Sequence, residues 1–183
     1  MNLIKRIWNK IRKNSLKFAS QGIGLNVVGF PVYLINRNVH VGDNVHIYPN
    51  VSFLGDGEIF LGNKVKIGNN CIIHASKGSF VKISDNTIIA ANTYIIDCNH
   101  KIGREQIIQN QGFDVSPVQI EEDVWIGASC VIGKGATIKK GAVIGANSFV
   151  NREVQEYAIV AVSVPSECGF QWFPGPSAEV PYQ

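Results

Sequence analysis

Along most of the chain a large aliphatic residue returns every six positions. The series runs Val41, Ile47, then Leu61, Ile67, Ile73, then Ile83, Ile89, Ile95. After an interruption it continues as Ile120, Ile126, Ile132, Ile138, Ile144 and Val150. Four residues after most of these stands a small or β-branched partner: Val45, Val51, Val65, Cys71, Thr87, Thr93, Val124, Cys130, Ala136, Ala142 and Ser148. A period of six matches neither an amphipathic helix nor an alternating strand with hairpins. It fits short strands joined by tight turns that bend the chain the same way each time. The large side chain then points inward and the small one packs at the crowded corner. Glycine often follows the aliphatic residue, at Gly42, Gly62, Gly68, Gly127, Gly133 and Gly145, which predicts turns with unusual dihedrals there. Three hexads close a triangular coil of about eighteen residues, and stacked coils bury a continuous apolar column. A sandwich with accidental spacing gives no reason for so long a register. The expected fold is an all-β parallel β-helix.

Departures from a regular scaffold mark places where function sits. Two breaks are short and Gly-containing, around Gly55-Asp56-Gly57 and Ser76-Lys77-Gly78-Ser79, and read as widened turns. One is long: residues 97–117, DCNHKIGREQIIQNQGFDVSP, leave the coil after Ile95-Ile96 and return at Val118-Gln119-Ile120. A protruding loop of that length on a solenoid is a functional loop by expectation. Both ends are irregular. Residues 1–22 read as an amphipathic helix, with Leu3, Ile4, Ile7, Trp8, Ile11 and Phe18 near one face. The β-helix domain is expected over 23–160, and 161–183 form an aromatic, proline-rich tail.

Charge changes this picture in one place. Lys5, Arg6, Lys10, Arg12, Lys13 and Lys17 put six cations in the first twenty residues with no acid, whereas the whole chain carries +3. The remainder is therefore −3, which argues against nucleic-acid binding. A basic, tryptophan-containing helix at the N-terminus is suited to an anionic membrane surface, or to packing across the end of the coil. No apolar run is long enough to span a bilayer, and no signal peptide is evident. Cys71, Cys98, Cys130 and Cys168 lack metal-site spacing. Cys71 and Cys130 occupy small-residue positions of the repeat, and a reduced, cytoplasmic protein is the expectation.

The candidate chemistry opens the long excursion, at Asp97-Cys98-Asn99-His100. A neutral imidazole can take a proton from an attacking hydroxyl and return it to a leaving group. With the hexads, Ser84-Asp85-Asn86 and the Val124-Trp125-Ile126-Gly127 stretch, this chain resembles the hexapeptide-repeat acyltransferases from roughly Val39 to Pro165. Within that family it is closest to sugar O-acetyltransferases of the galactoside/maltose and polysaccharide-modifying type. The resemblance implies a left-handed coil, acetyl-CoA as co-substrate, a glycan or small-molecule acceptor, and a homotrimer.

The resemblance also implies roles. His100 is the general base. Asp97 orients its imidazole or accepts a hydrogen bond from the sugar, unless it only forms the turn. His74 and Asn99 fall among acceptor-binding positions. Trp125 lies close to acceptor and catalytic histidine, and Ala128 and Ala146 match backbone CoA contacts on the later coils. Asn151 and Arg152 match residues near the nucleotide end of CoA. One departure stands out: Val164-Pro165-Ser166-Glu167 carries an acid where the family commonly has a base for CoA phosphate.

Three other readings remain in view. A xenobiotic O-acetyltransferase would share the same motifs, and a non-catalytic scaffold would keep the coil alone. Zinc-dependent hydration on this fold needs paired histidines, and His40, His46, His74 and His100 show no such pairing. No metal is expected.

Overall fold

The computed structural model describes residues 16–161, with the backbone alone for 162 and 170–173. The hexads fold into three parallel sheets that form the sides of a prism. Face A stacks Ser20–Gln21, Val39–Val41, Glu58–Leu61, Phe80–Ile83, Val118–Ile120, Thr137–Ile138 and Glu153–Val154. Face B stacks Asn26–Val27, His46–Ile47, Lys66–Ile67, Ile88–Ile89, Trp125–Ile126, Val143–Ile144 and Ile159–Val162. Face C stacks Val32–Leu34, Val51–Leu54, Ile72–His74, Tyr94–Ile96, Val131–Ile132 and Phe149–Val150. Each coil visits A, B and C in turn.

Register converts the six-residue period into columns. On face A, Val41, Leu61, Ile83, Ile120, Ile138 and Val154 lie one above another. Face B aligns Val27, Ile47, Ile67, Ile89, Ile126, Ile144 and Val160. Face C aligns Phe53, Ile73, Ile95, Ile132 and Val150. The isoleucines of these columns are essentially inaccessible to water, and each contributes about 1.5–3 kcal/mol of transfer free energy. The small partners are buried too, and their polar atoms are satisfied locally. Thr87 Oγ1 donates to the Glu121 carbonyl at 3.1 Å, and Ser148 Oγ to Gly145 at 2.7 Å. Burial pushes the Cys71 thiol up to about 11, as befits an inert apolar filler.

The corners differ from the expectation about glycine. Gly42, Gly62, Gly68, Gly127, Gly133 and Gly145 do not have positive φ. The left-handed residue stands three positions after the aliphatic one, and is most often asparagine: Asn44, Asn50, Asn70, Asn86, Asn92 and Asn147 have φ between 56° and 62°. Asparagine tolerates that region better than other side chains. Glycine is needed for another reason, the approach of the next coil. A Cβ on Gly127 would sit 2.5 Å from the Ala146 nitrogen. Asparagines also stack across coils, Asn50 donating to Asn70 at 3.0 Å and Asn70 to Asn92 at 2.9 Å.

Both ends revise the expected boundaries. Residues 1–15 of the expected helix lie outside the described residues. Its final part, 16–22, is not helical: Ser20–Gln21 pairs in parallel with His40–Val41. Leu16 and Phe18 alternate as in a strand and pack on the core, Phe18 edge-on to Phe53 at 6.3 Å. Two-residue periodicity against a ready-made sheet edge outweighs helical spacing there. At the other end, the backbone of Phe170–Phe173 folds back antiparallel along Ile159–Val162, adding a strand beyond the last coil. Among the described residues, no helix is long and apolar enough to cross a membrane.

Outward-facing positions give the faces different characters. Face A presents His40, Phe60, Lys82, Gln119, Thr137 and Glu153. Face B presents Ile88, Trp125, Val143 and Ile159 in its later coils, and face C presents Ile72, Tyr94, Val131 and Phe149. Two faces therefore carry an apolar stripe and one does not.

Gly127→Ala tests the close-approach reading. The intruding methyl is expected to lower unfolding free energy by about 1–3 kcal/mol, measured by chemical denaturation. An unchanged midpoint would show that the corners have slack.

Candidate functional site

All three breaks in the repeat occur at the same corner, where face C hands over to face A. Gly55–Gly57, Ser76–Ser79 and the 97–117 excursion follow Leu54, His74 and Ile96 on successive coils. Stacking them opens a cavity of about 600 Å³, whose walls include His74, Ser76, Tyr94, Cys98, His100 and Phe113. It is a concave, mixed apolar and polar site of the kind that binds small ligands.

The excursion is structured where it matters. Cys98–His100 pairs antiparallel with Phe113–Val115, placing His100 opposite Phe113. The two rings pack at 4.6 Å between centroids, tilted by 42°. Asp114 forms an ion pair with Lys134 of the following coil, and Ser116 N–H donates to the Asp97 carbonyl at 2.9 Å. Gln111 bridges the Gly103 backbone at 2.7 and 2.8 Å. His100 is exposed at the mouth of the cavity, on a paired strand rather than a free loop. Asn99 stands beside it, also exposed and lining the cavity.

Asp97 has a different neighbour from the one expected. Its carboxylate is fully buried and accepts hydrogen bonds from Ser76, from the N–H at 2.9 Å and from Oγ at 2.8 Å. The ring it faces is His74, with Nδ1 3.7 Å from Oδ1, not His100. Asp97 thus locks the widened turn of the coil below to the base of the hairpin. His74 lines the cavity floor, and its buried Nδ1 has no hydrogen-bond partner.

The residues expected along the co-substrate divide between edges. Trp125 is half exposed on face B, between Ile88 and Val143, and does not line the His100 cavity. Ala128 and Ala146 stack at the B–C corner, where Asn147 N–H donates to the Ala128 carbonyl at 2.9 Å. Asn151 and Arg152 lie on the same C–A edge as His100, two coils on, lining a second cavity of about 440 Å³ beside Phe149. Glu167 lies outside the described residues. Within one chain, Trp125 and the two alanines are therefore not brought to His100.

Residues 117–152 match the family model for bacterial transferase hexapeptide (six repeats). Those residues carry the hexapeptide repeat that this model describes. Galactoside O-acetyltransferase of Escherichia coli is 33% identical over 125 residues, covering 68% of this chain and 60% of that protein. WbbJ of Escherichia coli, named for O-acetyl transfer in lipopolysaccharide biosynthesis, is 27% identical over 152 residues, covering 77% and 76%. Among solved structures, AntD superposes with a TM-score of 0.66 at 19% identity, covering 92% of this chain and 87% of that one. AntD is an N-acyltransferase from Bacillus cereus, and that structure contains dTDP and 3-hydroxybutyryl-CoA. This chain spans 42–64% of the length of three of its curated relatives.

Several cavity residues of the hexapeptide-repeat protein escaped the sequence reading. Tyr94 was visible only as an outward position before the excursion. In the structure it stands under the hairpin, and burial, with Cys98 and Asp97 nearby, raises its phenol above the usual range. It therefore stays a hydrogen-bond donor. Ser76 and Phe113 had a signal too: Ser76 sits in a break of the repeat, and Phe113 is an aromatic within a polar loop.

Replacing Asp97 by Ala leaves the Ser76 N–H and hydroxyl without their acceptor, at about 1–3 kcal/mol for each donor. The expected result is a lower unfolding midpoint. Full stability with lost function would instead tie Asp97 to His100.

Proposed function

We propose that this protein transfers an acetyl group from acetyl-CoA to a hydroxyl of a sugar, with His100 as general base. The observation that carries this reading is the placement of His100. An exposed imidazole, fixed on a hairpin strand, stands at the mouth of a cavity whose other walls offer hydrogen-bonding groups and an aromatic ring. The acceptor oxygen attacks the thioester carbonyl while His100 takes its proton. The tetrahedral intermediate then expels the CoA thiolate, and the imidazolium returns the proton to sulfur. Base assistance is worth roughly 10²–10⁴-fold, and juxtaposition of the two substrates supplies much of the rest. The names of the relatives, galactoside O-acetyltransferase and the lipopolysaccharide transferase, support a glycan acceptor. His74, Tyr94 and Asn99 would hold its hydroxyls.

The split between edges is resolved by association about a three-fold axis. Faces B and C carry the apolar stripes and meet at the corner of Ala128 and Ala146. Three prisms meeting along that corner leave wedge-shaped clefts, because their corners do not fill the turn about the axis. Face B of one chain, with Trp125, then faces the C side of the next, with Tyr94 and His100. The CoA arm would lie in this cleft, between Trp125, Ala128 and Ala146 of one chain and the C–A edge of its neighbour. Asn151 and Arg152 continue that edge toward the nucleotide end. Symmetric closure through two different surface patches is the ordinary route to a ring.

His100→Ala is expected to lower turnover by at least about 10² with the coil still folded, measured as thiol release from acetyl-CoA in the presence of glycan acceptors. Undiminished turnover would remove His100 from the mechanism. Trp125→Asp places a charge on the apolar stripe, and light scattering should show a shift from trimer toward monomer. A monomeric wild-type chain with full activity would contradict the shared cleft.

A further inference from the structure

The cavity floor holds a group of side chains in which Asp97 and Cys98 have no part in acyl transfer by His100, while His74 is assigned only to the acceptor. A ring nitrogen of His74, a carboxylate oxygen of Asp97 and the sulfur of Cys98 all lie within 4.8 Å of one another. Asp97 is fully buried, Cys98 is 5% exposed, and the Nδ1 atom of His74 is buried without a hydrogen-bond partner. An orphaned ring nitrogen in the interior is costly unless something fills the position opposite it. Ser76 does not: its N–H and hydroxyl go to Asp97.

We propose that His74, Asp97 and Cys98 form a binding site for a borderline-soft divalent cation, with Zn²⁺ the best match. One imidazole, one carboxylate and one thiolate form a donor set suited to this ion, and catalytic-type zinc sites use three protein ligands with a fourth position open. The His74–Asp97 separation of 3.7 Å is close to the roughly 3.3 Å edge of a tetrahedron built on bonds of about 2.0 Å. The sulfur side must close by up to about 1 Å. Asp97 retains lone pairs for a metal while still accepting from Ser76, so the Ser76 bonds orient a ligand in the way outer partners of metal ligands do. Binding exchanges the Cys98 thiol proton for the ion, and the proton leaves to solvent.

The motif reading missed this site because its three members are not spaced as ligands in sequence. Asp97 and Cys98 are adjacent, and His74 comes from the coil below, brought into contact because Ile96 pairs with His74 across face C. The inference does not depend on whether His100 acts as a base. The ion would occupy the acceptor end of the cavity, since His74 and Cys98 both line it.

The test uses the full chain carrying Cys168→Ser, stripped with a chelator and titrated with Co²⁺. One equivalent per chain should produce intense tetrahedral visible bands and a thiolate-to-cobalt band in the near ultraviolet. Zn²⁺ should then displace the cobalt stoichiometrically. Cys98→Ser should abolish the near-ultraviolet band. His74→Phe should weaken Co²⁺ binding by at least about 100-fold. Circular dichroism of each variant confirms the fold without needing turnover. The proposal is overturned if the parent shows no thiolate band, or if either substitution leaves band and affinity unchanged. Because the readout is spectral, loss of acetyl transfer and loss of this site are seen separately.

Discussion

Coil-to-coil register is the constraint from which the rest of this structure follows. Every inward aliphatic residue rests on its counterpart in the next coil, and the backbone between them is tied by parallel ladders on all three faces. A residue inserted within a strand would turn the buried column out to solvent. Insertions are tolerated only at corners, where the ladder is already interrupted. The chain places its three insertions at a single corner on three successive coils, so the departures stack. The cavity therefore has walls as rigid as the solenoid beneath it.

Two devices hold chemistry on that frame. The hairpin fixes His100 by pairing with Phe113, and the buried Asp97 pins the hairpin base to the Ser76 turn below. Neither requires a mobile lid. In the proposed assembly the cleft gains a wall carrying Trp125, which within one chain faces away on side B. The difference between the two apolar sides and the polar side A gives a physical reason for neighbours to complete the cleft.

Much of this was legible in the sequence. The six-residue period identified the coil from Val41 to Val150, and its breaks located the cavity, because a solenoid admits few other irregularities. His100 and His74 could be singled out from loop position and family motif. What escaped was pairing across coils. Asp97 reads as a partner for His100 because they are three residues apart. Yet side chains that meet in this fold are about one coil apart, and Ser76 and His74 are its real contacts. Glycine was misread for a similar reason. Its place after many of the aliphatic residues reflects the close approach of the next coil, invisible to any local turn rule, while asparagine carries many of the left-handed corners. The first strand was missed because Phe18 continues the helical spacing of Ile4, Ile7 and Ile11 as well as the strand alternation with Leu16, and only the waiting edge at His40–Val41 decides between them.

A structure of the full assembly with CoA bound tests the central claim most directly. The account places the coenzyme's sulfur beside the His100 ring, in a cleft walled on its far side by Trp125 from the adjoining chain. Coenzyme lying along polar side A, or with its sulfur remote from every His100 in the assembly, would contradict it.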